Sequence, residues 1–269
     1  MISRFGRTCA LVGLVGVALL GAAPGLIAAS IPIAVTGFDS DVVTVASPNS
    51  IKVVRFDAGA AAWFQAGLQG HNDGFPVSGT FVNDGSNGTT NTGTTFQFQP
   101  YLGPNALRLL AGSTTGTLTL VTPGSYGSVA ILASSGSGGG TGNAVLNFAG
   151  GITSNITYNA TDWGQQTNGP AALGKLGRNT DVGAAGTSFA YGHNVDFALF
   201  ETDINLFALG LNNLTLQSIT FNGMAGTANV TGIFAVSGAP VPEPSTLILC
   251  GLAGLGLLGF AWRRPKIAV

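Results

Sequence analysis

The chain has 269 residues, 42 of them glycine, with 45% hydrophobic residues, only 8% charged ones and a formal net charge of −1. An ordinary soluble domain carries about 25% charged residues, and so few bases leave no basic patch for nucleic acid. The two cysteines, Cys9 and Cys250, sit in apolar terminal segments, which excludes a disulfide framework, a cysteine nucleophile and a thiolate metal site from everything between them.

At the N-terminus, Arg4 and Arg7 precede an apolar run from Cys9 to Ala22, and small residues follow around Ala28-Ala29. This order predicts a secretory signal peptide over residues 1–29, read by the Sec export machinery. Pro24 and Gly25 argue against a helix that continues past it.

From residue 30 to residue 239 the hydrophobic pattern has period two, the signature of half-buried strands. Asp41-Val-Val-Thr-Val-Ala46 and Ser50-Ile-Lys-Val-Val-Arg-Phe56 open the series, and Thr95-Phe-Gln-Phe-Gln99 and Ala106-Leu-Arg-Leu-Leu110 continue it. Gly116-Thr-Leu-Thr-Leu-Val121, Ser128-Val-Ala-Ile-Leu-Ala133, Ala144-Val-Leu-Asn-Phe148 and Ser154-Asn-Ile-Thr-Tyr158 follow. Segments 195–200, 214–221 and 228–236 end it. Gly, Asn, Ser and Pro separate these runs. Only 58–68 suggests a helical turn, and Ser134 to Gly142 reads as a flexible glycine-rich loop. Without helices of crossover length, the expectation is an all-β antiparallel sandwich or jelly roll. Residues 30–240 hold ten acids and five bases, a formal charge near −5, so solubility rests on hydroxyl and amide side chains.

The C-terminal 240–269 is a second apolar segment. Val241-Pro-Glu-Pro244 precedes an uncharged run, 246–262, and then Arg263, Arg264 and Lys266. At about 1.5 Å per residue that run is roughly 25 Å long, the short end of what crosses a bilayer. It predicts a single transmembrane helix with a stop-transfer cluster over 263–269 that keeps the tail cytoplasmic. Pro242 and Pro244 hold the stretch before it extended.

Chemical motifs are sparse. Gly186-Thr-Ser-Phe-Ala190 lacks the last glycine of a nucleophile elbow, and Gly136-Ser-Gly-Gly-Gly140 lacks the lysine of a phosphate loop. His71 and His193 lie in turn-like text and read as two loop histidines. Asp196, Glu201 and Asp203 are the densest acids, and in a regular strand Glu201 and Asp203 share a face where they would offer oxygens to calcium. Trp63, Trp163 and Tyr191 stand in polar text and are the candidate platforms for a sugar.

The order of Val241-Pro-Glu-Pro244, Leu/Gly-rich run and Arg263-Arg264 resembles the PEP-CTERM sorting signal of Gram-negative bacteria. The resemblance implies that Val241, Pro242, Glu243 and Pro244 mark the processing site for an exosortase. It also implies a transient stay in the inner membrane, and a final place on the cell surface or in an extracellular matrix with exopolysaccharide or biofilm. Gln97-Phe-Gln-Pro-Tyr101, Asn105-Ala-Leu-Arg-Leu109, Ala160-Thr-Asp-Trp163, Phe200-Glu-Thr-Asp203 and Gly232-Ile-Phe-Ala-Val-Ser237 resemble galactose-binding-like jelly rolls. That likeness implies glycan binding and, in some members, a structural calcium ion. The expectation is a non-enzymatic exported protein with no cofactor beyond such calcium, and with exosortase and polysaccharide as partners. Two alternatives stand beside it: a structural coat protein acting by self-assembly, and a glycan-active hydrolase.

Overall fold

The structure is a computed structural model, which describes residues 29–45, 53–57, 59–85, 91–111, 114–165, 171–182, 189–224, 230–241 and 251–257. The signal peptide, Pro242, Glu243, Pro244, Arg263, Arg264 and Lys266 lie outside the described residues. Residues 29–240 form one compact unit. In the other unit the described residues 251–257 are helical. Among the described residues no helix is long and apolar enough to cross a membrane.

The strands are β1 (Ile31–Pro32), β2 (Val35–Thr36), β3 (Val43–Thr44), β4 (Trp63–Phe64), β5 (Thr80–Asp84), β6 (Asn91–Gln97), β7 (Leu107–Leu110) and β8 (Thr115–Gly124). They continue with β9 (Tyr126–Gly136), β10 (Gly140–Phe148), β11 (Thr153–Ala160), β12 (Leu173–Asn179), β13 (Tyr191–Asn205), β14 (Leu216–Asn222) and β15 (Val230–Pro240). The first sheet runs β1-β15-β9-β13-β12, with β7 pairing a second stretch of β15. The second runs β11-β10-β14-β8-β2. Both are antiparallel, and they face each other as a sandwich.

The second sheet has one buried face. Leu118 and Leu120 of β8, Leu146 of β10, Ile156 of β11 and Ile219 of β14 point inward, against Val129, Ile131 and Ile204 of the first sheet. The alternate positions are mostly Thr, Asn and Ser, with Val121 and Val145 among them. Thr117 of β8, Thr220 of β14 and Val145 of β10 lie in one row across the outer face, and the Thr117 and Thr220 hydroxyls bond at 3.0 Å.

The first sheet is buried on both faces. Its outer side carries a second core, built by Val42, Phe56, Trp63, Phe75, Phe96 and Phe98 from the segment before β7 against Leu132, Phe197 and Phe234. β9 and β15 therefore read as unbroken buried runs rather than as alternating ones. Their polar side chains are satisfied within the layers: Ser134 Oγ donates to the Ala198 carbonyl at 3.0 Å, and Ser237 Oγ to the Thr95 carbonyl at 2.7 Å. A Cβ on Gly232 would stand 2.7 Å from the Phe56 ring, and one on Gly136 would stand 2.6 Å from the Phe56 carbonyl. Glycine at these two strand positions lets the aromatic layer approach.

Two sequence expectations change. Region 58–68 is not helical: Trp63–Phe64 is a strand beside β3, because this stretch buries its side chains in the second core. The glycine-rich 134–142 is mostly strand, with a tight turn at Ser137 (φ 60°) and Gly138 (φ 107°), and Gly138 N–H donates to Asp162 Oδ2 at 2.5 Å. Gly139 packs so closely on the Thr161–Asp162 backbone that no Cβ fits.

Asp41 is buried beside the second core. Asp41 accepts from Asn105 Nδ2 at 2.6 Å, while Asn105 Oδ1 accepts from Val42 N–H at 3.0 Å. Burial pushes the Asp41 carboxyl up to about 6 against the pull of Asn105. The folded protein thus holds this proton to a higher pH than an unfolded aspartate does. Stability from this group is fully present below about pH 4 and is lost as pH rises through about 6. Asp41→Asn keeps an acceptor for Asn105 and removes the charge. It is expected to raise the melting temperature at pH 7 and to flatten the decline between pH 4 and 7, read by calorimetry across that range.

Candidate functional site

Trp63 and Trp163 do not form a ligand platform. Trp63 is wholly buried and Trp163 nearly so, and their rings meet edge-on at 4.8 Å inside a cluster with Phe56, Phe75, Phe197 and Phe234. The polar neighbours in sequence misled, because Asp162 turns away to accept the Gly138 and Gly164 amides. Arg178 covers Trp163 from outside, 5.8 Å from its centroid. Trp63→Ala is expected to cost about 3–5 kcal/mol of stability, measured by denaturant unfolding, through loss of core rather than of any surface contact.

Tyr191 is exposed and belongs to a cluster that sequence spacing did not reveal. The loop after β4 brings His71 flat against its ring, with centroids 3.7 Å apart. Its hydroxyl donates to Asp73 Oδ2 at 2.6 Å, which pushes the phenol up to about 12. His193, two residues along β13, sets Nδ1 2.7 Å from Asp73 and Nε2 3.0 Å from Asp196. With a carboxylate at each ring nitrogen the imidazolium is favoured. The Asp196 hydrogen bond raises the His193 pKa most, burial works against it, and Asp73 adds to the rise. A Cβ on Gly177 of β12 would meet Asp73 at 2.7 Å and the Tyr191 ring at 2.9 Å, so glycine there leaves room for the cluster. The two histidines expected as separate loop residues thus share one anchor, which ties the loop to β13.

The sign of this anchor follows from the raised pKa. Its contribution is fully present below the ordinary histidine value of 6.5 and is lost as pH rises through the higher folded value. Amide exchange in residues 68–75, corrected for intrinsic rate, is expected to speed up above that pH. His193→Gln is expected to abolish the step.

Glu201 and Asp203 share a face of β13, as the alternation required. Glu201 Oε2 accepts from Asn83 Nδ2 of β5 at 2.6 Å and from Thr92 Oγ1 of β6 at 2.9 Å, so the pair pins the β5–β6 hairpin to the first sheet. Although Asp203 keeps solvent contact, protein packed around its carboxyl raises its pKa to about 6, and the charge and hydrogen bonding of Glu201 add to that. The hydrogen bonds from Asn83 and Thr92 both go to Glu201 Oε2. Among the described residues no group of three His, Cys, Asp or Glu stands where it could hold a metal ion.

An open groove of about 680 Å³ lies where β6 runs on into Pro100–Leu102. Val77 and Leu102 are exposed on its rim, and Gln65, Gln97, Gln99 and Ser78 line it. Gln97 is committed to the fold, since its Nε2 donates to the Gly79 and Phe98 carbonyls. The side-chain amides of Gln65 and Gln99 make no hydrogen bond to described residues. Gln65 pairs with Phe75 at the base of the loop that the His193 cluster holds. Tyr101 closes the floor, its hydroxyl donating to the Pro76 carbonyl at 2.9 Å. The unbroken aromatic–amide alternation of Thr95-Phe-Gln-Phe-Gln99 was the sequence signal for this groove: its phenylalanines enter the second core and its glutamines face out.

The β-sandwich and its apolar tail describe an exported protein with a sorting segment at the C-terminus. Residues 240–264 match the family model of the PEP-CTERM protein-sorting motif. That motif implies export to the cell envelope or surface of a Gram-negative bacterium and processing by an exosortase. No curated protein matches it. Among solved structures it is similar to an isomalto-dextranase of Arthrobacter globiformis T6 complexed with panose, at 13% identity and a TM-score of 0.27, covering 53% of this chain and 20% of that one. The glycoside hydrolase domain of Endo-D from Streptococcus pneumoniae R6 is 12% identical with a TM-score of 0.29, covering 58% and 22%. The catalytic domain of a GH87 alpha-1,3-glucanase in complex with tetrasaccharides is 12% identical with a TM-score of 0.34, covering 81% and 29%. This chain spans less than a third of those proteins, and at such scores the likeness carries neither activity nor ligand to it.

Proposed function

We propose that this is a non-enzymatic protein of the cell surface or extracellular matrix that binds a neutral glycan in the groove beside β6. The groove carries the reading: two amides without hydrogen-bond partners among the described residues, Gln65 and Gln99, stand between apolar rims at Val77 and Leu102. Amides supply paired donors and acceptors for hydroxyls, and apolar rims take the C–H faces of a sugar. Among the described residues no acid lines the groove, which suits an uncharged ligand. The sorting segment supports a working place among exopolysaccharides.

The acids support binding rather than hydrolysis. Glycoside hydrolysis sets two carboxyls about 5–9.5 Å apart across the scissile bond. Here Glu201 and Asp203 face each other beneath the β5–β6 hairpin, and Asp196 is engaged with His193.

A glycan array probed with the unit Ala29–Pro240 is expected to show binding to neutral oligosaccharides. The double substitution Gln65→Ala, Gln99→Ala is expected to weaken it about tenfold or more without changing the melting temperature. Binding to none of the array, or binding untouched by the double substitution, defeats the groove reading. Replacing Pro242, Glu243 and Pro244 by alanine in a host with its exosortase is expected to leave full-length precursor in the membrane fraction, detected by immunoblot.

A further inference from the structure

The strands of the second sheet contain no Asp, Glu, Lys, Arg or His. Every charged side chain between residues 30 and 240 lies elsewhere. β11 ends this sheet, with β10 on one side only. Folded proteins blunt such an edge with charge, proline, a bulge or a very short strand. β11 has eight residues, none charged and none proline, and its pairing with β10 runs from Thr153 to Ala160 without a shift in register.

The free backbone groups can be assigned. Asn159 N–H leaves the sheet and donates to Thr202 Oγ1 at 2.7 Å, and the Thr161 carbonyl accepts from Ser135 N–H at 2.9 Å. Backbone direction alternates along an antiparallel strand. The N–H and C=O of Thr153, Asn155 and Thr157 therefore point off the same edge, where no strand of the described residues pairs. Their side chains are exposed and neutral.

We propose that a second copy of this chain pairs antiparallel with the β11 edge. Only odd-numbered residues offer free groups, so odd must face odd. Asn155 opposite Asn155 of the second copy, with Thr153 opposite Thr157, uses all three. Moving the register two residues would set Thr153 against Asn159, whose N–H is already taken. Facing residues in such pairs exchange two hydrogen bonds, and the two-fold symmetry closes the assembly as a dimer with a continuous sheet. A partner here must be neutral and extended. Two domains that each carry a net negative charge can meet along this edge without bringing like charges together, and the odd set is complementary to itself. The proposal is independent of the groove, which lies on other strands, and either can fail without the other.

Sedimentation of the unit Ala29–Pro240 from micromolar to millimolar concentration tests it. A concentration-dependent dimer is expected. Asn155→Pro removes an outward N–H without taking a bond from β10, and Asn155→Lys sets two like charges face to face on the two-fold. Each is expected to raise the midpoint concentration about tenfold or more at an unchanged melting temperature. Because Cys9 and Cys250 lie outside the unit, Asn155→Cys reports register directly. Facing Cα atoms would be about 5.5 Å apart, within disulfide range, so crosslinking is expected to outpace that of Thr119→Cys on the outer face. A monomer throughout the range overturns the proposal. So does a dimer that keeps its midpoint in both substituted forms, or a cysteine at 155 that crosslinks no faster than the one at 119.

Discussion

Burial of the first sheet on both faces is the constraint from which the rest of the molecule follows. A sheet covered on one side can alternate apolar and polar residues, but β9 and β15 have no solvent side on which to place a charge. An isolated charge in such a layer would lose several kcal/mol of hydration. The strands accordingly use apolar residues, glycine and hydroxyl side chains whose oxygens reach a nearby carbonyl, that of Ala198 in the neighbouring strand for Ser134 and that of Thr95 in the covering segment for Ser237. The same demand explains why the segment before β7 is folded as a cover rather than as regular sheet. Its work is to deliver Phe56, Trp63, Phe75, Phe96 and Phe98 to the outer side of that sheet, and short two-residue strands with many turns do this without adding a third full layer of ladder.

How much of this the sequence disclosed depends on whether a strand has a wet face. β8, β10, β11 and β14 alternate because one side meets water, and all four were legible. β9 and β15 were legible as apolar runs, but that they are covered on both sides was not. β12, Leu-Gly-Lys-Leu-Gly-Arg-Asn, was missed because its glycines and the positive φ of Lys175 (57°) break the period that strands are recognised by. The alanines at 60–62 imitated a helix, although their small size serves close packing beside Phe56.

The site residues divide by the range of their contacts. The Glu201–Asp203 pair is local, set by strand alternation alone, so its shared face could be foreseen. The Asp73–His193 bond joins residues 120 positions apart, and nothing in the spacing of His71, Asp73 and His193 signals it. Tryptophans were misjudged for a physical reason. A polar flank tells where the backbone is hydrated, whereas an indole is placed by its area, and an aromatic core lay within reach.

Charge poverty joins these observations. A domain that covers a two-faced sheet has few positions at which charge is tolerated, and here the tolerant positions are the loops, the short strands and the ends of β13. The second sheet keeps its outer face hydrated mainly through hydroxyls and amides, without a charge. Such a surface dissolves well but does not repel a copy of itself, because neither hydration nor hydrogen bonding distinguishes self from solvent the way like charge does. Inside a crowded cell an uncharged edge strand is a liability. The sorting motif implies export to the cell envelope or surface. On the pairing proposed for β11, the same lack of repulsion lets two copies meet along that edge, so the uncharged sheet that is a hazard inside the cell becomes a contact surface where the protein arrives.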